Sequence, residues 1–335
     1  MTPRSPRPQA RALASARPLP HRRLILSAGA GLAAALALRG PARAEGGTVR
    51  IGFQKYGSLA LLKGKGSLET ALAPKGWSVT WAEFPSGPPL MEALNAGAID
   101  FGSAGEAPPI FAQAASADLR YIGAEPPAPR GEAILVPKDS PIRSVADLRG
   151  KTVALNKGSN VHFLVVRALE AAGVPYADVT FAFLGPADAN AAFVRGAVDA
   201  WAIWDPYLAA AERSTGARIL ADGQGLAPNR QFYLSRRAIT DGQPGLVQAV
   251  LAAIGDLDRW AAGHAEEVAR ELAPAVGIPA PILSVALKRQ SYGVAPLDAA
   301  TVADQQRVAD AFHGLGLLPK PLRVEDAVWP RPDKA

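Results

Sequence analysis

The sequence predicts an α/β fold with two lobes, each a mainly parallel sheet flanked by helices, and a cleft between the lobes. Short apolar segments alternate with helical ones, which is typical of parallel sheets with crossover helices. Three of the apolar segments run into turns rich in Gly, Ser, Pro or amide residues, and a helix follows each turn. In addition, Gly97-Ala-Ile-Asp100 recurs as Gly196-Ala-Val-Asp199, which indicates two equivalent halves.

Residues 1–44 have the composition of an export signal peptide that is removed. Their first part is polar and basic, residues 24–38 are apolar, and Ala42-Arg-Ala44 has the form of a cleavage site. The apolar run is shorter than the roughly 20 residues that a spanning helix needs. Arg22-Arg23 also fits a twin-arginine signal, so both export routes stay open. We expect an exported, soluble protein without a lipid anchor, located in the periplasm.

Charge and cysteine content exclude several classes of function. The formal net charge is +6, but the leader carries eight arginines and no acidic residue, which leaves the rest near −2. Nucleic-acid binding therefore loses its electrostatic support. The chain has no cysteine, which excludes disulfides, thiol catalysis and thiolate metal sites. Its four histidines are scattered, so we predict no metal site and no cofactor.

The order of predicted elements suggests how the lobes are built. Strands are predicted at Thr48–Phe53, Val79–Phe84, Ala133–Val136 and Val153–Leu155. After residue 237 the periodicity becomes helical, over 246–257, 264–276, 281–292 and 298–313. These helices are expected to complete the first lobe. We assign 45–136 plus 233–335 to lobe 1 and 137–232 to lobe 2, with a hinge near 132–137 and 232–237.

The three helix-starting turns are candidate anion sites. The first turn of a helix carries unpaired N–H groups and a partial positive charge, so an anion is stabilised there. The turns span 51–57, 83–90 and 153–160. Their candidate ligand-binding residues are Gln54, Ser86, Gly87, Pro88, Gly158, Ser159 and Asn160. Helix capping alone would explain the same residue types. His162, just inside the last helix, is expected on its polar side without a role.

The segment around Trp204 and its counterpart in the other half supply further candidates. Trp204 is expected at the cleft mouth, where its indole offers an N–H and an apolar wall. Asp205 precedes a proline, so capping is favoured over ligand contact. Ser103 and Glu106 occupy the equivalent place in the first half, and Glu106 also precedes an Ala-Pro pair.

Four stretches of the sequence resemble the periplasmic aliphatic sulfonate-binding proteins of ABC importers, and more broadly the sulfonate, taurine and nitrate group. They are Arg50–Lys55, Glu83–Ala114, Lys157–Ser159 and Asp199–Tyr207. The resemblance implies a type II periplasmic binding fold that closes on a sulfonate and delivers it to an inner-membrane permease with its ATPase. It also implies a monomer, and sulfonate contacts from Gln54, the Ser86–Pro88 loop, Ser159 and Trp204. A sulfonate is a permanent monoanion with three acceptor oxygens, so a cage of donors suits it.

The sequence departs from that family at two places and leaves alternatives open. Ala104 and Glu106 stand where the sulfonate-binding proteins usually have Thr and Asp, and Asn160-Val161 stands where Ser-Ser is usual. Taurine, nitrate or a thiamine precursor therefore stays open as ligand, and Glu106 or Asp205 facing the cleft would favour a ligand with an amine. A periplasmic enzyme with a Glu106/Asp205 carboxylate pair is disfavoured, because the turns are dense in Gly and Pro and no sugar-stacking run is present. Other enzyme classes are disfavoured because the sequence shows no nucleophile elbow or metal cluster. We expect no catalytic residue. A sensor subunit would use the same closed state as an importer subunit.

Overall fold

The computed structural model describes residues 46–331, so the predicted leader at 1–44 lies outside the described residues. The strands, in chain order, are β1 Thr48–Phe53, β2 Ser78–Glu83, β3 Phe101–Ala104, β4 Leu119–Ala124, β5 Glu132–Val136, β6 Thr152–Leu155, β7 Thr180–Phe183, β8 Ala200–Trp204, β9 Arg218–Asp222 and β10 Phe232–Arg236. The helices are α1 Ser58–Lys65, α2 Ser67–Leu72, α3 Gly87–Asn95, α4 Ala107–Ala114, α5 Asn160–Ala171, α6 Pro186–Val194, α7 Tyr207–Thr215, α8 Arg237–Gly242, α9 Pro244–Ala261, α10 Ala265–Val276, α11 Ala280–Leu287 and α12 Ala299–Gly314.

The strands form two five-stranded sheets with the same topology. The first sheet has the order β2-β1-β3-β10-β4 and the second has β7-β6-β8-β5-β9. In each sheet the first three strands are parallel, and the fourth is antiparallel to both of its neighbours. The sheets are therefore mixed, not mainly parallel, because one strand in each lobe enters from the other lobe in the reverse direction. The two-lobed α/β fold is confirmed.

The chain crosses between the sheets earlier than the sequence analysis predicted. Residues 132–136, assigned there to lobe 1 and to the hinge, form β5, which pairs with β8 and β9 in the second sheet. Phe232, assigned to lobe 2, begins β10 in the first sheet. The crossing segments are 125–131 and 223–231, and they run side by side: Glu125 N donates to Gln231 O at 2.8 Å. The error arose because the apolar run of β5 fits a central strand of either sheet.

The sequence repeat corresponds to a repeated hydrogen-bond arrangement. Asp100 Oδ2 accepts the N–H of Arg50 on β1 at 2.9 Å, and Asp100 N donates to Arg50 O at 2.7 Å. In the second sheet, Asp199 Oδ2 accepts the N–H of Thr152 on β6 at 2.8 Å, and Asp199 N donates to Thr152 O at 2.9 Å. Asp100 thus links β1 to β3, the strand that follows it, and Asp199 links β6 to β8 in the same way. The two halves are equivalent at this level, as the repeat predicted.

Helix α5 is buried on more sides than its sequence suggested. His162, predicted on a polar face, is fully buried. Its Nδ1 accepts the N–H of Gly158 at 3.2 Å, and its Nε2 lies 2.7 Å from the hydroxyl of Tyr176. The ring also lies 5.2 Å from that of Phe312 on α12. Burial, aided by the charge of Lys157, lowers the pKa of His162 to about 4. The histidine is therefore a neutral, hydrogen-bonded core residue.

Candidate functional site

A cleft lies between the two sheets, and the crossing segments form its floor. It encloses about 900 Å³ of space between atoms, part of it open to solvent. Glu125, Ala128 and Gly131 line it from the first crossing segment, and Asn229 and Gln231 line it from the second. Because both segments connect the lobes, a ligand in this cleft touches the part of the chain that has to move when the lobes move.

Three helices begin at this cleft, and none of them has a side-chain hydrogen bond that caps its N-terminus. The cleft lining includes Gly87, the first residue of α3, Pro108, the second residue of α4, and Asn160, the first residue of α5. None of the three helices has an N-cap side chain that accepts a first-turn N–H, and none has an acidic residue in its first turn. The N-cap residue of α4 is Glu106, whose carboxyl group accepts no N–H of the helix, whereas α3 and α5 have no acidic residue at the N-cap or in the first turn. The positive dipole ends of α3 and α5 are therefore not neutralised by their own caps.

The donors at these three N-termini are unequal. Helices α3 and α4 each carry two consecutive prolines in the first turn, and proline has no N–H. Helix α5 has none, so Asn160 and Val161 both keep their main-chain N–H groups. We therefore expect α5 to contribute most to anion binding.

Two glycines at the cleft lie where a side chain would crowd a neighbouring helix. A Cβ on Gly87 would lie 2.6 Å from Cγ of Pro108 and 3.3 Å from Cβ of Ala104, both in the same lobe. A Cβ on Gly105 would lie 3.0 Å from Cβ and Cγ of Asn160 in the other lobe. A side chain at Gly87 would therefore push α3 and α4 apart, and one at Gly105 would crowd the start of α5.

Asn160 joins α5 to the cleft floor. Its Nδ2 donates to Glu132 Oε2 at 2.6 Å and to Asn229 Oδ1 at 2.9 Å. Glu132 is fully buried, and burial, with the nearby charge of Glu106, raises its pKa well above the usual range. Asn229 has a left-handed backbone with φ of 49°, a conformation that asparagine tolerates better than most residues. The amide of Asn160 thus connects α5 to β5 within the second lobe and to Asn229 in the second crossing segment.

The mouth of the cleft carries an aromatic wall and a buried carboxylate. Trp204 and Tyr207 both line the cleft, with ring centroids 6.4 Å apart and planes at 77°. Asp205 lines it as well, while its Oδ1 accepts the N–H of Ala209 at 3.1 Å. Burial raises the pKa of Asp205 to about 7, opposed by the charge of Arg289. Asp205 therefore both caps α7 and faces the cleft.

Comparison with known proteins identifies the family. Residues 76–267 match the family model described as NMT1/THI5 like. The chain is 42% identical over 309 residues to an aliphatic sulfonates-binding protein of Escherichia coli strain K12, covering 92% of this chain and 97% of that protein. The chain belongs to the NMT1/THI5-like family. Within it, the resemblance to the aliphatic sulfonate-binding proteins is confirmed.

Solved structures support the same assignment. The alkanesulfonate-binding protein SsuA of Xanthomonas axonopodis pv. citri, bound to MOPS, superposes with a TM-score of 0.80 at 43% identity, covering 84% of this chain and 98% of that one. The periplasmic aliphatic sulphonate binding protein SsuA of Escherichia coli gives a TM-score of 0.78 at 43% identity, over 86% and 94% of the two chains. This NMT1/THI5-like chain therefore has the fold of these two SsuA proteins, which are binding proteins and not enzymes.

The predicted site residues of this NMT1/THI5-like protein divide into two groups. Five of them line the cleft: Gln54, Gly87, Asn160, Trp204 and Asp205. The others lie behind the lining: Ser86, Pro88, Ser103, Glu106, Gly158 and Ser159. Two of this second group make hydrogen bonds that stabilise the chain behind the lining. Ser103 O accepts from Gln54 Nε2 at 3.2 Å, and Ser159 Oγ donates to Asn156 O at 2.6 Å.

Glu106 is hydrogen-bonded to a residue that lies far from it in the sequence. It is 1% exposed, and its Oε1 accepts the N–H of Arg230 in the second crossing segment at 3.1 Å. Burial raises the pKa of Glu106 to about 7. Its side chain does not cap α4. Since Asp205 lines the cleft and Glu106 does not, the structure gives no support to a Glu106/Asp205 carboxylate pair acting on one substrate.

Several lining residues carried no local sequence signal. Glu125 and Gln290 line the cleft from segments far apart in the chain. Lys55, just after β1, also lines the cleft; it is half exposed and pairs with Glu83 at 3.5 Å. Within residues 46–331, no group of three or more His, Asp or Glu side chains is arranged to hold a metal ion, and no helix has the length and apolar character to cross a membrane.

Proposed function

We propose that the protein is the solute-binding component of an ABC importer and captures alkanesulfonates in the cleft between its lobes. The observation that carries this proposal is the meeting of three helix N-termini that are neither capped nor neutralised by first-turn carboxylates. A sulfonate matches that arrangement, because its three oxygens accept hydrogen bonds and it brings no proton. Trp204 and Tyr207 supply an apolar wall for the organic tail.

The same proposal covers location and partners. The Escherichia coli relative of known structure is described as a periplasmic sulphonate binding protein. We propose the periplasm as location, and a monomer that hands its ligand to an inner-membrane permease driven by an ATPase. We place lobe 1 at 46–124 plus 232–331 and lobe 2 at 132–222, with the hinge in the two crossing segments. Closure about those segments would bury the ligand and bring together the surfaces that the permease recognises.

A thermal-shift panel on the protein without its leader tests the ligand class. The panel contains methane-, propane- and hexanesulfonate, taurine, sulfate, nitrate and a thiamine precursor. Ligand at about 100 times its dissociation constant stabilises the native state by about 2.7 kcal/mol, which in a protein of this size raises Tm by several degrees. We expect the alkanesulfonates to raise Tm and sulfate to have no effect. A shift with nitrate or the thiamine precursor alone would overturn the proposal in favour of that ligand.

A further inference from the structure

The two lobes also touch each other beside the cleft, outside the crossing segments. Helix α7 packs against α11 there. Leu208 of α7 belongs to the hydrophobic core of the second lobe, whereas Leu283 and Leu287 of α11 belong to the core around β1 in the first lobe. The contact between these two helices is therefore a contact between lobes, made by segments that do not connect the lobes along the chain.

One arginine joins the lobes at this contact. Arg289 follows α11, and its Nη2 lies 2.7 Å from Oε2 of Glu212 on α7. Its Nη1 lies 3.6 Å from Oδ1 of Asp205, which comes just before α7 in the chain. A guanidinium from the first lobe thus faces two carboxylates of the second lobe.

This ionic contact is shielded from solvent. The side chain of Arg289 is 14% exposed, that of Glu212 is 28% exposed and that of Asp205 is 1% exposed. Enclosed charges are screened by salt less than exposed ones. Burial lowers the pKa of Arg289, but the charges of Asp205 and Glu212 outweigh burial and raise that pKa, so Arg289 stays cationic. Removal of the guanidinium would leave two partly buried carboxylates uncompensated, which is unfavourable.

The hydrogen bonding at this contact is incomplete. Nη1 of Arg289 and Oδ2 of Asp205 are both buried, and neither has a hydrogen-bond partner within residues 46–331. The distance of 3.6 Å between Nη1 and Oδ1 exceeds hydrogen-bond distance. A small approach of α7 to α11 would bring Nη1 within reach of the Asp205 carboxylate and give both buried groups a partner. The contact therefore favours a closer approach of the lobes on this side of the cleft.

Arg289 and Glu212 act on the cleft without lining it. Asp205 lines the cleft, and so do Gln290, which follows Arg289, and Tyr207, the first residue of α7. Arg289 and Glu212 themselves are not among the lining residues. A change at either of them therefore alters how the lobes meet and removes no contact with a ligand.

We propose that Arg289 is a positioning residue that holds the two lobes together beside the cleft, and that its pairing with Glu212 and Asp205 stabilises the arrangement in which ligand is bound. The inference goes beyond the proposed function, because it concerns the equilibrium between lobe positions and not the class of ligand. It rests on that function only where sulfonate affinity is the readout. Apparent affinity falls with the fraction of molecules in the binding-competent arrangement.

Distances between the lobes test the inference without a ligand. The chain has no cysteine, so Val194→Cys on α6 and Ala275→Cys on α10, both at exposed positions, direct two spin labels to defined sites. These helices pack on α7 and α11 respectively, so they move apart when the contact opens. We expect Arg289→Gln to lengthen and broaden the distance distribution measured by pulsed EPR. Arg289→Lys, which keeps the charge, should restore most of it. An unchanged distribution in Arg289→Gln would overturn the inference.

Calorimetry with hexanesulfonate measures the effect on binding. We expect Arg289→Gln to weaken binding about tenfold. Glu212→Gln should weaken it less, because Arg289 keeps Asp205 as a partner, and the double variant should bind no more weakly than Arg289→Gln alone. Such non-additivity distinguishes a paired contact from general destabilisation of the fold. Losses that simply add would contradict the pairing of Arg289 with Glu212.

A neighbouring ion pair within the first lobe provides the matched control. Lys288 Nζ lies 2.7 Å from Oε1 of Glu266, and both side chains are exposed. Lys288→Gln and Glu266→Gln should change neither the affinity nor the distance between the labels. A control variant that moved the labels as far as Arg289→Gln would overturn the assignment to Arg289. No binding of hexanesulfonate by the wild type would count against the proposed function, and the EPR distances would then decide the inference alone.

Discussion

Nδ2 of Asn160, the first residue of α5, lies 2.9 Å from Oδ1 of Asn229 in the segment that returns the chain to the first lobe. The same amide donates to Glu132 at the start of β5. The helix that offers the most complete set of main-chain donors is therefore fixed to the cleft floor by its own first side chain. We therefore expect anion binding at α5 to be coupled to the geometry of the crossing segments.

We expect Asn160→Ala to weaken sulfonate binding about tenfold and to lower Tm. The change removes two buried hydrogen bonds and leaves Oε2 of Glu132 without a donor, and a buried polar atom that loses its partner costs about 1–3 kcal/mol. Calorimetry and thermal melts measure both effects. Asn95→Ala, at the exposed C-terminal end of α3, is the matched control and should change neither. Equal behaviour of the two variants would show that the amide has no positioning role.

Gly87→Ala should abolish high-affinity binding. A Cβ at this position would lie 2.6 Å from Cγ of Pro108, so the N-termini of α3 and α4 would have to separate. Gly64→Ala provides the control, because a Cβ on Gly64 in α1 meets no atom within 4 Å. The control should bind normally and gain about 1 kcal/mol of helix stability. Normal binding by Gly87→Ala would mean that the close approach is dispensable.

Trp204 should report ligand binding through its fluorescence. It is partly buried at the cleft lining, so a ligand against its indole changes the polarity around the ring. We expect a ligand-dependent change in emission that disappears in Trp204→Phe and persists in Trp260→Phe. Trp260 lies on α9, stacked on His264, and does not line the cleft. A signal that survives in Trp204→Phe would place the organic tail elsewhere.

Stability should fall as the pH rises from about 5 to 8, in part because of Glu125. Burial, with the charge of Asp258, raises the pKa of Glu125 from 4.5 to about 8. Between those values the folded state binds more protons than the unfolded state, so the free energy of unfolding decreases with increasing pH. Asp205 and Glu106, with pKa values raised to about 7, act in the same direction.

Glu125→Gln should therefore flatten the dependence of Tm on pH, and its Tm should gain most on the wild type at the alkaline end. The exposed Glu92→Gln serves as control and should follow the wild-type slope. Parallel slopes for Glu125→Gln and the wild type would show that Glu125 is not the titrating group. Melts at constant ionic strength in buffers without sulfonates avoid ligand effects.

Local sequence patterns predicted the strands, the helix starts and the internal repeat, because these depend mainly on residues that are close together in the chain. Apolar runs gave β1, β2, β5 and β6 almost to the residue, and the turns after β1, β2 and β6 do begin helices. The Gly-Ala-x-Asp repeat predicted equivalent halves because each aspartate has the same hydrogen-bonding task. The helical periodicity after residue 237 was likewise sufficient for α9 to α12.

The remainder depended on tertiary contacts between distant segments. Glu125, Asn229 and Gln290 meet in the cleft only because the chain crosses between the lobes twice, and no local pattern encodes that meeting. The face that His162 presents was mispredicted because α5 packs against α4 and α12 of the other lobe, so its polar side is also covered. The hydrogen bond between Glu106 and Arg230 could not be predicted for the same reason, since the two residues are distant in sequence.

The donors at the helix N-termini do not depend on the acidity of the surroundings. Main-chain N–H groups do not gain or lose protons in the range where proteins are folded, and a sulfonate stays ionised throughout that range. Under the proposed function, the protein would therefore capture sulfonates equally well from acidic and from neutral medium. An anion site built on ionisable side chains would lose that independence, because its charge would change with the medium.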